Sequence, residues 1–425
     1  MNRQRVIGTQ LEILLAELIT PGKLNYNIAR YVEFRGQLNI EALSRAIRVA
    51  LNEARLVHYD YEIDPNGAWQ MPSEKGGCDV VLMDLRDTPE AMSVCREIME
   101  EDAESIIPAV GDKDKIRQTI FLLRDMDGSQ VWIWYQRYHH ILVDGYALQL
   151  LLRRVSELYG TFNGFSELSA AEFVGCEAVF EEHQEYARSS AMQADKEFWG
   201  GYLREYMSQV DRPASSSISA GERPFVRSSC VWSSGKAGDR LPIEVITAAT
   251  MLELYRASGS SSQMVGMSFG RRNRARIAKV LCPLVSILPL WVDLRGLASL
   301  EAAELQVRES LKKIKQHQFY GGEQAIRDLG SVGRGETLYW ITLNFRVYVG
   351  DVIQFAGVNS AVKFLASPYK GVDLTIDLQG GNIQLLTKST LSSLWGLSIE
   401  RIIDRLEDRI RAALACGYGD PALTK

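Results

Sequence analysis

The feature that most constrains the fold is an aromatic hairpin that leads directly into a loop with two histidines. Residues 117–124 and 130–138 have strand character, and an Asp-Gly pair in the turn between them favours a tight reversal. The sequence HHILVDG follows at residues 139–145, and an amphipathic helical pattern covers residues 147–159. The sequence therefore predicts an antiparallel hairpin, a short strand-to-helix loop and a helix, in that order.

The two adjacent histidines make this loop the candidate active site. Histidine is the side chain best suited to take a proton from an amine or hydroxyl near neutral pH. Because consecutive strand residues point to opposite faces, His139 and His140 cannot both face one site, and one ring should pack or hydrogen-bond behind it. This divergence argues against a metal ion held by both rings, and His58, His183 and His317 are distant and unpatterned. We therefore predict no metal site.

Asp144 and Gly145 end the loop. Asp144 could orient an imidazole, as the carboxylate of a catalytic triad does, or hold the loop through an arginine. Gly145 permits a backbone conformation closed to other residues, and its N–H, near a helix start, could donate to a developing oxyanion. The sequence lacks the GxSxG pattern of a serine nucleophile. Together these residues predict direct attack assisted by a base, without a covalent enzyme intermediate.

Length and composition indicate a cytoplasmic protein with more than one domain. A chain of 425 residues is too long for one ordinary core. The formal net charge of −5 is mild, so neither nucleic acid nor an anionic membrane is a favoured partner. The six cysteines show no CxxC or zinc-ligand spacing, which fits reduced thiols in the cytosol. No run approaches the roughly 20 apolar residues that cross a bilayer.

Hydrophobic periodicity predicts a mixed α+β fold in which both halves of the chain alternate helices and strands. The predicted helices outside the hairpin region cover residues 8–20, 40–54, 88–105, 168–207, 243–257, 300–317 and 398–415. The predicted strands cover residues 27–35, 57–63, 79–85, 263–270, 338–348, 361–366, 372–378 and 383–388. Residues 208–224, which follow the predicted helix 168–207, are rich in Ser, Pro and Gly and are predicted as a linker or an internal loop.

The loop and the order of several weaker segments resemble the condensation domains of nonribosomal peptide synthetases. HHILVDG matches the HHxxxDG motif of that family, which is highly specific. The other segments that resemble family motifs are Thr9-Gln10, Glu197-Phe198-Trp199, Gly270-Arg271-Arg272, Val280–Leu290 (similar to GPxxNxLPL), Leu343-Asn344-Phe345 and Val372-Asp373-Leu374. Each of these segments is a weak signal alone. They follow one another in the same order as the family motifs, so the resemblance extends from end to end of the chain.

The resemblance implies an α+β, V-shaped pseudodimer of two chloramphenicol-acetyltransferase-like subdomains, which we place at residues 1–175 and 176–425. It implies a cytoplasmic monomer that binds no resident cofactor and meets donor and acceptor carrier proteins, whose phosphopantetheine arms bring the substrates. The implied reaction transfers an acyl group from a carrier-protein thioester to an amine, or to a hydroxyl. Two alternatives stay open at this point: a CoA-dependent acyltransferase of the same superfamily, and a non-catalytic module that binds a protein partner.

The resemblance also assigns roles to individual residues. His140, as the second histidine, would remove a proton or position the nucleophile, with Gly145 as the second catalytic residue. His139 and Asp144 would hold the loop. Candidate substrate-binding residues, which complete the predicted site, are Ser286, Asn344 and Arg272.

The chain departs from the family pattern around the motif aspartate. The family usually has an arginine in an LRxRF-like segment, and this arginine can pair with the aspartate; residues 56–61 here contain none. Asp144 would then need another partner, either Arg271 or Arg272, or backbone donors. Further departures are Ala147 in place of a serine, and Cys282 and Ser286 in place of the Gly and Asn of GPxxNxLPL. These changes make an unusual donor or acceptor, such as an aryl acid, a free amine or an alcohol, more plausible.

Overall fold

A computed structural model of the chain gives the architecture. It describes residues 3–6, 8–22, 25–56, 59–73, 78–111, 114–125, 128–170, 173–210, 218–232, 242–272, 274–297, 299–330, 338–347, 353–366, 371–379 and 382–415. No helix within these ranges is long and apolar enough to cross a membrane.

The helices within the described ranges are α1 (Thr9–Ile19), α2 (Ile40–Glu53), α3 (Ala91–Glu104), α4 (Gly145–Phe162), α5 (Glu177–Ala187), α6 (Ser190–Gln209), α7 (Pro242–Ser258), α8 (Leu300–Gln316), α9 (Gly322–Asp328) and α10 (Ile399–Ala415). The strands are β1 (Gln4–Arg5), β2 (Asn27–Arg35), β3 (Tyr59–Asp64), β4 (Gly67–Pro72), β5 (Val80–Asp84), β6 (Ile116–Arg124), β7 (Gln130–His139), β8 (Ile218–Trp232), β9 (Ser262–Gly270), β10 (Val285–Asp293), β11 (Ile341–Val347), β12 (Asn359–Ala366), β13 (Val372–Gln379), β14 (Asn382–Leu394) and β15 (Leu397–Ser398).

Contacts divide the chain into two compact units that do not follow the sequence order strictly. The first unit contains Met1–Glu185 together with two later segments, Arg272–Val285 and Asp351–Pro368. The second unit contains Tyr186–Arg271, Ser286–Gly350 and Tyr369–Lys425. The domain boundary that we placed between residues 175 and 176 stays a prediction.

The first unit is built on a five-stranded sheet in the order β12-β2-β7-β6-β5. The predicted hairpin is confirmed, since β6 and β7 pair antiparallel from Ile116 opposite Tyr138 to Arg124 opposite Gln130. Strand β7 is buried on both faces. Trp132 and Trp134 pack into a cluster with α2 and α4. The alternate residues of β7, such as Ile133, pack with α3. The sheet therefore holds the end of β7, and the loop that follows it, between two apolar layers.

The second unit is built on a seven-stranded sheet in which β10-β9-β11-β13-β14-β15 form the main path and β8 pairs with β14. Its largest apolar cluster joins this sheet to α7, α8 and α10. Strand β13 contributes Val372, Leu374 and Ile376 to the cluster, whereas Asp373 and Thr375 alternate with them. The opposite face of this strand is therefore polar although it is buried.

Several elements differ from the sequence prediction. Residues 218–224, part of the predicted linker, have the backbone pairing of strand β8, while residues 211–217 lie outside the described residues. Strands β4 and β10 and helix α9 were not predicted. Gly and Pro weaken the strand pattern of β4, and Pro interrupts that of β10. Pairing with distant strands supplies the order that local periodicity does not reveal.

Candidate active site

The histidine loop is fixed to the first unit by its backbone. The His139 N–H donates to Lys115 O over 2.7 Å, and the His140 N–H donates to Tyr26 O over 2.7 Å. The Leu142 N–H then turns back to His139 O over 3.0 Å. These bonds end β7 and set the direction of the chain toward α4.

The ring of His139 is buried and held from both sides. The Ile141 N–H donates to His139 Nδ1 over 3.1 Å, and His139 Nε2 lies 3.1 Å from Glu17 Oε1. A backbone N–H can only donate, so Nδ1 must be the acceptor and the ring hydrogen must lie on Nε2, facing Glu17. The second carboxylate oxygen of Glu17 accepts the Ala109 N–H over 2.9 Å. Both ring nitrogens of His139 are therefore used within the protein.

The ring of His140 points elsewhere, which confirms that the two imidazoles diverge. His140 Nδ1 lies 2.8 Å from Val143 O. A carbonyl oxygen only accepts, so Nδ1 carries the hydrogen and Nε2 presents a lone pair. No hydrogen-bond partner of Nε2 occurs among the described residues. Burial lowers the pKa of His140, and the nearby Asp144 carboxylate opposes that shift. The net lowering favours the neutral ring near pH 7, so Nε2 can accept a proton or a hydrogen bond.

Asp144 is fully buried and accepts hydrogen bonds from three parts of the unit. It caps α4, since the Ala147 N–H donates to Oδ1 over 2.8 Å. The Leu284 N–H donates to Oδ2 over 2.8 Å. The Nη2 group of Arg272 lies 2.9 Å from Oδ1 and 3.0 Å from Oδ2. These donors account for both oxygens, so the carboxylate joins the helix start to the segment around Leu284.

Arg272 is the arginine that pairs with Asp144. The sequence had left this choice open between Arg271 and Arg272. Its Nη1 donates to Val280 O over 2.6 Å, and its Nη2 donates to Cys282 O over 2.7 Å. Its guanidinium carbon also lies 5.1 Å from the centre of the Tyr146 ring. Arg55, near the segment that lacks the family arginine, instead lies 3.8 Å from Glu177.

Gly145 does not use the backbone conformation that is open to glycine alone. Its φ angle is not positive, because it is the first residue of α4 and shares the helical backbone. Apart from its chain neighbours and the backbone of α4, no atom of the described residues lies within 4 Å of a Cβ built on Gly145. The glycine leaves open space beside the loop, and its N–H has no acceptor among the residues that the structure describes.

Helix α1 supports the loop from a second side. Gln10 is buried, and its Nε2 donates to Ile141 O over 3.1 Å and to the Tyr61 hydroxyl over 3.1 Å. The neighbouring Thr9 hydroxyl donates to Val285 O over 2.6 Å. Thr9-Gln10 was expected from the family resemblance alone, and Glu17 was not among the predicted site residues. The only available signal for Glu17 was a carboxylate two turns after Gln10 on the same helix.

The three candidate substrate-binding residues have different surroundings. Ser286 on β10 is buried, and its hydroxyl has no hydrogen-bond partner among the described side chains and backbone. Asn344 on β11 accepts the Ser268 hydroxyl over 3.0 Å. Arg272 is engaged with Asp144 as described above. Their role in substrate binding stays a prediction. The described residues also contain no group of three His, Cys, Asp or Glu side chains arranged for a metal ion.

The chain belongs to the condensation domain family, whose pattern matches residues 4–364. The predicted membership of the condensation domains of nonribosomal peptide synthetases is confirmed.

Among similar proteins of known identity are components of peptide synthetases. Vanchrobactin synthetase VabF of Vibrio anguillarum is 27% identical over 389 residues, which are 89% of this chain and 13% of that protein. Enterobactin synthase component F of Escherichia coli is 25% identical over 352 residues, 81% of this chain and 27% of the relative. A dimodular nonribosomal peptide synthase of Bacillus subtilis is 24% identical over 367 residues, 85% of this chain and 15% of the relative. The chain thus spans less than a third of each of these proteins.

Solved structures share the fold. The starter condensation domain of rhizomide synthetase RzmA has a TM-score of 0.80 at 20% identity, covering 99% of this chain and 98% of that one. A variant of that domain in complex with C8-CoA has a TM-score of 0.85 at 21% identity, covering 99% and 96%. The first condensation domain of the calcium-dependent antibiotic synthetase, with a substrate analogue, has a TM-score of 0.81 at 20% identity, covering 99% and 98%. The predicted α+β fold of this class is confirmed.

Proposed function

We propose that this chain is an acyltransferase of nonribosomal peptide or related biosynthesis that joins an acyl thioester to an acceptor amine. The observation that carries the proposal is the lone pair of His140 Nε2. This lone pair is available because the Nδ1–H donates to Val143 O. The chain also belongs to the condensation domain family. A hydroxyl acceptor, which would give an ester, uses the same atoms.

The reaction can be written on the atoms of His140 and the substrates. The acceptor nitrogen attacks the thioester carbonyl, a C–N bond forms, and the C–S bond breaks to release the thiol of the donor arm. His140 Nε2 accepts a hydrogen bond from the acceptor and takes the proton that the nitrogen loses; the leaving thiolate is protonated in turn. The unengaged N–H of Gly145 at the start of α4 is the candidate donor to the oxyanion.

The other motif residues act as positioning residues in this proposal. Asp144, held by Arg272, fixes the start of α4 relative to the loop. His139, held by Glu17, fixes the other end of the loop. A general base must lie within hydrogen-bond reach of the proton it abstracts, so small shifts of the loop would lower turnover without removing the imidazole. This arrangement also disfavours a non-catalytic module, which would need no such placement of His140.

The donor is a thioester on a phosphopantetheine arm, supplied either by a carrier protein or by coenzyme A. The relatives in peptide synthetases favour a carrier-bound donor. A specific observation supports the second source, since a rhizomide starter condensation domain was solved with C8-CoA. Donor and acceptor carrier proteins are therefore the proposed partners, with acyl-CoA as the second candidate donor.

The direct test is product formation by the full chain with two donors. Acyl-loaded carrier protein and octanoyl-CoA are each offered with amine and alcohol acceptors, and products are followed by mass spectrometry. His140→Gln should lower turnover by about 10²–10⁴-fold, the usual contribution of general acid–base catalysis. His183→Gln, which changes a histidine of the same unit outside the loop, should keep full activity. Undiminished turnover of His140→Gln, or no transfer from any donor, would sink the proposal.

The pH profile gives an independent test of the base. Because burial lowers the pKa of His140, the neutral ring persists below the ordinary histidine range. Plotted against pH, kcat/KM should therefore rise along an acid limb whose midpoint lies below about 6.5. An acid limb at or above that value in the free enzyme would contradict a desolvated His140 as the base.

A further inference from the structure

Two cysteines from distant parts of the sequence meet beside the segment that anchors Asp144. Val174 and Val280 form an isolated parallel bridge, and the Val174 N–H donates to Lys279 O over 3.2 Å. Cys176 and Cys282 each lie two residues beyond this bridge. The bridge brings the two segments together, so both cysteines follow directly after the point where the chains meet.

The surroundings of the two thiols confirm that they are close. Cys282 is 5% exposed and belongs to a small buried cluster with Ile277, Val280 and Leu284. Cys176 packs against this cluster and is partly exposed. A hydrogen bond with the Cys176 thiol, together with burial, raises the pKa of Cys282. The buried partner therefore stays a thiol, and the partly exposed Cys176 is the one that an external reagent can reach.

We propose that Cys176 and Cys282 are a thiol–disulfide site that forms a reversible intramolecular crosslink with low-molecular-weight disulfides such as oxidised glutathione. The Cys176 thiolate attacks one glutathione sulfur, forms a mixed disulfide and releases the first glutathione thiolate. The Cys282 thiol then loses its proton, attacks the Cys176 sulfur and releases the second. Two protein thiols are oxidised, one glutathione disulfide is reduced to two thiols, and the protons pass to the released glutathione.

The crosslink would act on the anchor of the candidate active site. Cys282 O accepts from Arg272, and the Leu284 N–H donates to Asp144. A disulfide at Cys282 therefore ties this segment covalently to the chain before α5. The loop that it closes is long, since the two cysteines are 106 positions apart in the sequence. Segment 280–284 should then open less often in the oxidised protein.

The test uses the reduced full-length chain in glutathione redox buffers and does not depend on the proposed acyltransferase activity. After alkylation of free thiols, non-reducing peptide mapping by mass spectrometry should find a Cys176–Cys282 crosslink that dithiothreitol removes. Cys282→Ser should instead accumulate a glutathione adduct at Cys176. Cys176→Ser should show neither product, and Cys95→Ser, which changes another buried cysteine, should crosslink like the unaltered chain.

Hydrogen exchange provides the second measurement. In the oxidised chain, the peptide that contains Leu284 should exchange its amide hydrogens more slowly than in the reduced chain, whereas oxidant should not change exchange in Cys176→Ser. Glutathione adducts without any crosslink, or crosslinks that pair Cys176 with other cysteines, would overturn the proposed site. Equal exchange in the crosslinked and reduced chains would overturn its action on the Asp144 anchor.

Discussion

Two buried aspartates, one in each unit, lie in opposite electrostatic settings. Asp144 of the first unit accepts hydrogen bonds from the Ala147 N–H, the Leu284 N–H and the Arg272 guanidinium. Asp373 of the second unit is 6% exposed, and the Thr375 hydroxyl is its one hydrogen-bond donor among the described residues. Burial raises the pKa of Asp373 to about 6, although Thr375, Lys388 and Arg346 all act to lower it.

The difference shows what a buried carboxylate needs in order to fix a structure. At Asp144 several donors replace water, so the charge specifies where the loop, α4 and the 280–284 segment meet. At Asp373 burial outweighs the attraction of the cross-strand residue Lys388, whose own pKa burial lowers to about 8. The first arrangement holds a site in one geometry, whereas the second keeps two charges in a setting that disfavours both.

The largest expected effect comes from removing the charge at Asp144. In Asp144→Asn an amide nitrogen replaces one acceptor and faces donors, while Arg272 stays buried without its counter-charge. The free energy of unfolding should fall by about 3–5 kcal/mol, and turnover should fall with it. Denaturant titration measures the first and the acyl-transfer assay the second. Combining Asp144→Asn with Arg272→Met should cost less than the sum of the single changes. Strict additivity would mean that the ion pair does not join the two residues.

Glu17 offers a smaller version of the same test. Its two oxygens accept separately from His139 and from the Ala109 N–H, and a glutamine has only one acceptor oxygen to replace them. Glu17→Gln should lower the free energy of unfolding by about 1–2 kcal/mol. It should also lower kcat about tenfold because the loop loses part of its support. Glu41→Gln, on the exposed face of α2, is the matched control. Unchanged kcat in Glu17→Gln would restrict Glu17 to a stabilising role.

The elements around the site could be predicted because their signals are local. Strand β2 matches its predicted range of 27–35, and α2, β7 and α4 lie within a few residues of their predicted positions. The divergence of His139 and His140 follows from strand alternation, which needs no knowledge of the rest of the chain. The HHxxxDG motif is equally local, since all of its positions lie within residues 139–145.

The partners of the loop could not be predicted because they come from far along the chain. Arg272 is 128 residues from Asp144, and Glu17 is 122 residues from His139. Two neighbouring arginines have the same chemistry, and only tertiary packing places Arg272 against the aspartate. The use of Gly145 could not be predicted either, because a glycine can provide an unusual φ angle or space for another molecule. Sequence alone does not distinguish these two uses.

Asp373→Asn should have a far smaller effect than the same substitution at Asp144. Near pH 7 it removes a buried charge that a single hydroxyl binds, and an asparagine oxygen can still accept from Thr375. It also removes a counter-charge from Lys388, so the two consequences oppose each other. The free energy of unfolding should change by about 1 kcal/mol or less. A loss as large as that of Asp144→Asn would mean that the Asp373–Lys388 attraction dominates burial, contrary to the raised pKa.

The final test is a difference in pH dependence between the unaltered chain and Asp373→Asn. The folded-state pKa of Asp373 is about 6 and the unfolded value is near 3.8. The folded chain therefore holds this proton more firmly between the two values. The resulting stability is fully present below about pH 4 and is lost as the pH rises through about 6. The unaltered chain should lose stability relative to Asp373→Asn across this window.

Lys388, with its pKa lowered to about 8, adds its own change only at higher pH. Urea titrations of both chains at several pH values between about 4 and 7 measure the difference. Parallel curves would show that Asp373 is as well compensated as Asp144 and would remove the contrast between the two units.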